Sequence, residues 1–280
     1  MAGSVGSVGG KSGEEEGEER QGWAQNVVVM RHGDRIDAAE PLWSAHADRP
    51  WDPPLTSTGK IRAWTTGKKL RSIGFPVHRV VVSPFLRCLQ TAAEVITALC
   101  CVLDEDTHIL SLETSSGALI DPTRVKVNIE YGLCEVLCMD AMRIIGPPKD
   151  GIWFPDVSEL KALLPVGTLD HSVDGLYQQL PSWEEPLAAA RERYQSVIEA
   201  LADKFPQENL LLVTHGEAVG VSVSSYLNDA VVYEVDYCAY SHLQRQVCSE
   251  PSKTVAAGGF KLMTRSQSGL LFSFRNKSSP

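Results

Sequence analysis

Two stretches of this 280-residue chain end in a histidine that stands among charged residues. The first carries His32 between Arg31 and Arg35, and the second carries His215. A neutral imidazole is a competent nucleophile at neutral pH. Guanidinium groups bind phosphoryl oxygens in pairs and keep their charge. If the two stretches meet in the folded chain, the pattern predicts a site for phosphoryl transfer, with one of the two imidazoles as the nucleophile.

Further candidates for the same chemistry lie in the middle of the chain. Arg87 follows Ser83 and a proline, and this spacing places the arginine in the first turn of a predicted helix. A leaving alkoxide or phenoxide needs a proton, which a loop carboxylic acid supplies best. Glu130 and Glu135 both follow a predicted strand. A second imidazole, kept cationic among phosphate oxygens, would stabilise the transition state.

Short apolar runs precede these residues and predict the strands that position them. The runs are residues 27–30, 79–82, 125–129 and 210–213. Because the carboxyl ends of parallel strands share one edge of a sheet, we expect the candidate residues to converge there. Helical periodicity predicts helices at residues 57–72, 84–93, 186–204 and 217–226. This alternation predicts an α/β fold, a three-layer α/β/α sandwich with a mostly parallel central sheet.

The remaining sequence divides into a tail, an insertion and late strands. Residues 1–24 are rich in glycine, serine and glutamate and predict a disordered acidic tail. Residues 25–280 would form the folded domain, with an insertion at about residues 100–185. We also expect late strands at residues 231–240 and 259–264, the second pairing with residues 269–274 as a hairpin.

Composition excludes several classes of protein. A formal net charge of −9 argues against a general nucleic-acid binder. No apolar run reaches the roughly 20 residues that a membrane helix needs, and no targeting segment is evident. Seven cysteines without paired spacing predict reduced thiols, and therefore a cytoplasmic or nuclear location. A metal could in principle bind His32, Asp34 and His215, but the neighbouring arginines would repel a divalent cation, so we expect no metal and no cofactor.

Four motifs, in this order, resemble those of the histidine phosphatase superfamily, also called the phosphoglycerate mutase-like family. They are Arg31-His32-Gly33, Leu55-Thr56-x-x-Gly59, Ser83-Pro84-x-x-Arg87 and Thr214-His215-Gly216. The resemblance spans about residues 25–225. Within the superfamily, residues 31–35, 132–135 and 236–238 most resemble the phosphatase domain of the suppressor of T-cell receptor signalling (ubiquitin-associated and SH3 domain-containing) proteins.

The resemblance implies a role for each matching residue. His32 would become phosphorylated, and the phosphoryl group would be held by Arg31, Arg87 and His215. The general acid would be Glu135, with Glu130 as the second choice. We further predict that substrate is bound by Arg35, Asp34, Gly33 and Ser83.

The resulting prediction is a metal-independent phosphatase that hydrolyses phosphate monoesters through a phosphohistidine. The alternatives are phosphoglycerate mutase-type transfer and a non-catalytic protein that binds phosphorylated ligands. We expect the partner to be a phosphorylated small molecule or a phosphoprotein, with neither nucleic acid nor membrane involved. The sequence leaves the oligomeric state open, with a homodimer as one option.

Overall fold

The computed structural model describes residues 22–102, 111–250, 253–256, 258–264 and 268–274. The predicted tail lies outside these residues except for positions 22–24, which belong to the first strand. Among the described residues, no helix combines the length and the apolar character needed to cross a membrane.

The centre of the fold is a mostly parallel sheet. Its parallel strands are β1 (Gly22–Arg31), β2 (Arg79–Val82), β3 (Lys126–Ile129) and β4 (Leu210–Thr214), arranged in the order β3-β2-β4-β1. On the far side of β1 the antiparallel strand β6 (Tyr240–Glu250) extends the sheet, and it pairs in turn with β7 (Lys253–Ala256) and β8 (Lys261–Leu262). The predicted fold class is confirmed.

Helices cover both faces of this sheet. The helices of the described residues include α1 (Ile36–Ala39), α2 (Ser57–Arg71), α3 (Leu86–Cys100), α4 (Met139–Met142), α5 (Val157–Ala162), α6 (Leu187–Lys204) and α7 (Gly216–Ser224). Alternate residues of each strand point to opposite faces. Val28 and Val80 therefore pack towards α3 in one core cluster, whereas Val29 packs towards α6 and α7 in another.

The predicted start of α3 is wrong by two residues. The helix begins at Leu86 rather than at Pro84. A proline restricts the preceding residue to extended conformations, and the side chain of Ser83 contacts His215 instead of capping the helix. The cap comes from elsewhere in the chain, because Asp52 Oδ1 accepts a hydrogen bond from Leu86 N at 2.8 Å.

The predicted pairing of the late strands is also wrong. The run at residues 231–240 divides into β5 (Ala230–Val235) and the first residue of β6, since the chain turns at Cys238 with a φ of 58°. Strand β9 (Leu270–Phe274) pairs antiparallel with β5 in a separate two-stranded sheet. It does not form a hairpin with β8, which pairs with β6.

The described part of the predicted insertion includes a strand and two short α-helices. Strand β3 lies inside residues 100–185 and belongs to the main sheet, and α4 and α5 have four and six residues. Residues 103–110 of this segment lie outside the described residues. The division into a tail and one domain with an insertion stays a prediction.

Candidate active site

Strands β1, β2 and β4 bring the predicted histidines and arginines together at their carboxyl ends. The ring centroids of His32 and His215 are 5.4 Å apart, and Arg87 reaches both His215 and Glu135. These four residues are buried, the most exposed being Glu135 at 8%. The parallel register places the ends of β1 and β4 side by side, with Arg31 opposite Thr214.

The His32 ring is held in one tautomer by its own chain. Nδ1 lies 2.8 Å from the carbonyl oxygen of Gly33, which can only accept a hydrogen bond. Nδ1 therefore carries the proton, and Nε2 keeps its lone pair. Burial, followed by the charges of Arg87 and other neighbours, holds the pKa of His32 well below its usual value. The imidazole is neutral at neutral pH, as a nucleophile must be.

The second histidine is neutral as well. His215 Nε2 lies 2.9 Å from Ser83 Oγ, and Nδ1 lies 3.1 Å from Glu135 Oε2. Burial lowers the pKa of His215 to about 4, although Glu135 opposes this shift. The sequence led us to expect an imidazolium among bound phosphate oxygens, and for that complex it stays a prediction.

Two arginines present N–H groups that have no acceptor among the described residues. They are Nε of Arg31, and Nε and Nη1 of Arg87. A buried donor without an acceptor costs free energy, so native proteins rarely leave several together. Three such groups beside His32 indicate a site for an anion with several oxygen atoms. The Arg31 guanidinium also lies 4.3 Å above the ring of Tyr237.

The structure distinguishes the two candidate general acids. Both carboxylate oxygens of Glu130 accept backbone hydrogen bonds, from the amides of Gly132, Leu176 and Tyr177, and so serve the loop itself. Glu135 instead lies against His215 and Arg87. Burial alone would raise the pKa of Glu135, but His215 and Arg87 together hold it below its usual value. Of the two carboxylates, Glu135 is therefore the one that lies beside the histidines and Arg87.

Two predicted substrate-binding residues, Gly33 and Asp34, have partners within the protein. The amide of Gly33 donates to Thr91 Oγ1 at 2.9 Å, and Asp34 pairs with Arg62 at 2.8 Å. Gly33 is needed for space, because a Cβ there would lie 2.7 Å from the carbonyl oxygen of Gly59. Binding of substrate by Gly33 and Asp34 stays a prediction.

The other two predicted binding residues, Ser83 and Arg35, lie close to His215 and Glu135. Ser83 Oγ contacts His215, as described above. Arg35 is 5% exposed and forms a two-pronged ion pair with Asp37, at 2.8 and 2.6 Å. Its charge contributes to the low pKa of Glu135. Asp37 therefore fixes Arg35 at the rim of the site.

The sequence alone does not single out Asp52, whose side chain contacts the site. Its carboxylate is buried, caps α3 and lies 3.9 Å from Arg87 Nη1. Burial raises the pKa of Asp52 to about 6. No local pattern marks this residue, since its partner at the start of α3 is 34 positions away.

A different trio from the predicted one has the donor types that bind metals. His32, Glu135 and His215 each offer one ligand atom, and these atoms lie within 4.8 Å of one another, whereas Asp34 is not among them. The guanidinium of Arg87 lies 3.4 Å from the Glu135 carboxylate and 3.3 Å from His215 Nδ1. A cation placed there would be repelled by Arg87. The absence of a metal requirement stays a prediction.

Comparison with known proteins gives a matching family and several relatives. The family model of the histidine phosphatase superfamily (branch 1) matches residues 27–109 and 167–250, more than half of the chain. The crystal structure of the ecdysone phosphate phosphatase from Bombyx mori, in complex with tungstate, has a TM-score of 0.55 and 21% sequence identity, and the match covers 84% of this chain and 92% of that one. At this identity the likeness shows the fold.

Curated relatives match over a shorter segment. An uncharacterized phosphoglycerate mutase family protein of Acanthamoeba polyphaga mimivirus is 37% identical over 73 residues, which is 25% of this chain and 36% of the relative. The mitochondrial serine/threonine-protein phosphatase Pgam5 of Drosophila mojavensis is 30% identical over 70 residues, 25% of this chain and 22% of the relative. The chain thus matches about a third or less of either relative. The nearer resemblance to the suppressor of T-cell receptor signalling proteins stays a prediction.

Proposed function

The chain belongs to the histidine phosphatase superfamily, and on this premise we propose that it hydrolyses phosphate monoesters through a phosphohistidine at His32 without a metal ion. One observation carries the proposal. The neutral His32, with its lone pair on Nε2, is buried beside arginine N–H groups that have no acceptor among the described residues. A phosphoryl group supplies both the electrophile and the missing acceptors.

In the first step His32 Nε2 attacks phosphorus. The N–P bond forms as the ester P–O bond breaks, and the leaving oxygen takes a proton from the Glu135 carboxyl group. Arg31 and Arg87 neutralise the charge on the phosphoryl oxygens. A phosphoryl dianion next to His215 would raise the pKa of that imidazole, which could then donate a hydrogen bond to the transferring group.

In the second step water replaces the histidine. The Glu135 carboxylate takes a proton from the attacking water, the new P–O bond forms and the N–P bond breaks. The lone pair returns to His32, and inorganic phosphate leaves. One carboxyl group thus acts as acid and then as base.

The proton on Glu135 must arrive with the substrate, because neighbouring charges keep this carboxylate ionised in the free site. A phosphate monoester loses its second proton at a pH of about 6. We propose that the ester binds as a monoanion and that Glu135 receives its proton within the complex.

The proposed substrate is a phosphorylated small molecule or a phosphoprotein. The similar proteins described above include a phosphatase of each kind, an ecdysone phosphate phosphatase and a serine/threonine-protein phosphatase. The seven cysteines are all free thiols. This suits a reducing compartment, so the proposal includes a location in the cytoplasm or nucleus.

The test is phosphate release from p-nitrophenyl phosphate in the presence of EDTA. The wild type should release phosphate, and His32→Ala should lose at least roughly a thousandfold of the rate, as enzymes do without their nucleophile. The control is His171→Ala, which changes an exposed histidine and should keep full activity. Retained activity in His32→Ala, or inhibition by EDTA, would overturn the proposal. No release by the wild type would favour mutase-type transfer or ligand binding without turnover.

A further inference from the structure

The loop that carries Glu135 is held by hydrogen bonds to its carbonyl groups. We name residues 132–137 the acid loop. Arg193 Nη1 donates to the carbonyl of Gly132 at 2.6 Å, and the hydroxyl of Tyr194 donates to that of Cys134 at 2.6 Å. Thr214 Oγ1 donates to the carbonyl of Leu133 at 2.8 Å.

Helix α6 supplies two of these donors from adjacent residues that are themselves fixed. Both carboxylate oxygens of Glu185 accept hydrogen bonds from Arg193, at 2.7 and 2.6 Å, and both residues are buried. The amide of Glu184 also donates to the carbonyl of Leu137 at 2.7 Å. The far end of the acid loop is therefore held by the segment that leads into the same helix.

A buried ion pair of this kind is a poor source of stability, because taking both charges out of water costs as much as their attraction returns. The guanidinium of Arg193 does, however, donate to the carbonyls of Gly132 and Cys134, which lie on both sides of Leu133. Such geometry fixes the backbone that leads directly into Glu135. An apolar contact has no preferred direction and would not fix the positions of these carbonyl groups in the same way.

We propose that Arg193, held by Glu185, and Tyr194 are positioning residues. They hold the acid loop so that the carboxyl group of Glu135 can protonate the leaving group. This role rests on the proposed function. Glu135 Oε2 lies 3.1 Å from His215 and 3.4 Å from Arg87, so a small shift of the loop removes both contacts. Misplacement of a catalytic group by about 1 Å can cost on the order of a hundredfold in rate.

The experiment compares two esters that differ in their need for an acid. Nitrophenolate leaves without a proton, whereas phenolate and alkoxides need one. The variants are Tyr194→Phe and Arg193→Lys, with Glu135→Gln as the benchmark. We expect Tyr194→Phe and Arg193→Lys to lose roughly tenfold or more additional kcat/KM on phenyl phosphate relative to p-nitrophenyl phosphate, in the same direction as Glu135→Gln.

Two control variants make the same chemical changes away from the acid loop. Tyr226→Phe removes a hydroxyl that donates to Glu199, and Arg79→Lys alters a buried arginine at the start of β2, the strand end opposite the site. Both should leave the ratio of the two esters unchanged, whatever they do to thermal stability.

The outcomes separate the positioning role from the proposed function. Equal losses on both esters in Tyr194→Phe and Arg193→Lys would show a structural role only and overturn the inference. An unchanged ratio in Glu135→Gln would remove Glu135 as the acid, and the positioning role with it. If the wild type hydrolysed neither ester, the proposed function itself would fail before any variant was compared.

Discussion

At the scale of single residues, the environment assigns a protonation state to each group. Burial and the charges of Arg87 and Arg31 keep His32 neutral. The contact with His215 and the charges of Arg87 and Arg35 keep Glu135 ionised. The sequence alone pointed to His32, Arg87 and His215 because each stands in a short distinctive string. The residues alone left both Glu130 and Glu135 open, and only the resemblance favoured Glu135. The structural difference is that both carboxylate oxygens of Glu130 accept hydrogen bonds from the amides of Gly132 and of residues 176–177.

These protonation states predict the pH profile of the reaction. Above a pH of about 6 the ester loses the proton that Glu135 needs, so kcat/KM on an aryl phosphate should fall as pH rises. The acid limb belongs to protonation of His32 and should lie well below the usual histidine value, because the pKa of His32 is lowered. A rise in kcat/KM centred on a pH of about 6.5 would instead mean that His32 titrates like an exposed histidine.

At the scale of elements, the end of β1 lies directly against the start of α2. Gly33 and Gly59 make this contact, and a Cβ at Gly59 would lie 2.5 Å from the backbone oxygen of Asp34. The sequence predicted both elements, and Thr56 caps α2 by accepting a hydrogen bond from the amide of Gly59. The start of α3 was missed because Asp52, far away in sequence, supplies its cap.

Two glycine-to-alanine substitutions in helices should therefore have opposite effects. Gly59→Ala should lower the free energy of unfolding by about 2 kcal/mol, because backbone atoms of Asp34 cannot move aside. Gly220→Ala, in the middle of α7 with no atom within 4 Å of the new Cβ, should raise it by about 0.5 kcal/mol through backbone entropy. Urea unfolding measures both. A stabilised Gly59→Ala variant would refute the close contact between β1 and α2.

At the scale of the whole molecule, the parallel strands β1, β2 and β4 bring ionisable side chains to one edge of the sheet, where these side chains are buried. Strand–helix alternation predicted this sheet, because a parallel strand needs a crossover helix. The pairing of β5 with β9 was not predictable in the same way, since an antiparallel partner can come from any later segment. Nothing local in residues 259–264 showed that they would pair with β6 instead of residues 269–274.

Burial of neutral histidines should make the fold less stable in acid. The pKa of His215 is about 4 in the folded protein, against 6.5 in the unfolded chain. The unfolded chain therefore binds more protons below a pH of 6.5, and the free energy of unfolding should fall as pH drops towards 4. The contribution of His215 is at most about 3 kcal/mol.

Asp52 acts in the opposite direction, because its pKa is raised from 3.8 to about 6 on folding. The measurement therefore compares the free energy of unfolding of the wild type with that of His215→Asn, each determined by urea unfolding at several pH values. The loss of stability between pH 6.5 and 4 should be smaller in the variant than in the wild type. An equal loss in both proteins would mean that His215 is not held neutral by the fold.

The most direct test of the account is to trap the phosphorylated enzyme. The protein is mixed with p-nitrophenyl phosphate, quenched in alkali, in which phosphohistidine survives, and digested for mass spectrometry. We predict one phosphoryl group on the peptide that contains His32, a larger trapped fraction in Glu135→Gln, where water is no longer activated, and none in His32→Asn. Steady turnover with no phosphoryl group on His32, or with the group on another residue, would contradict the central claim.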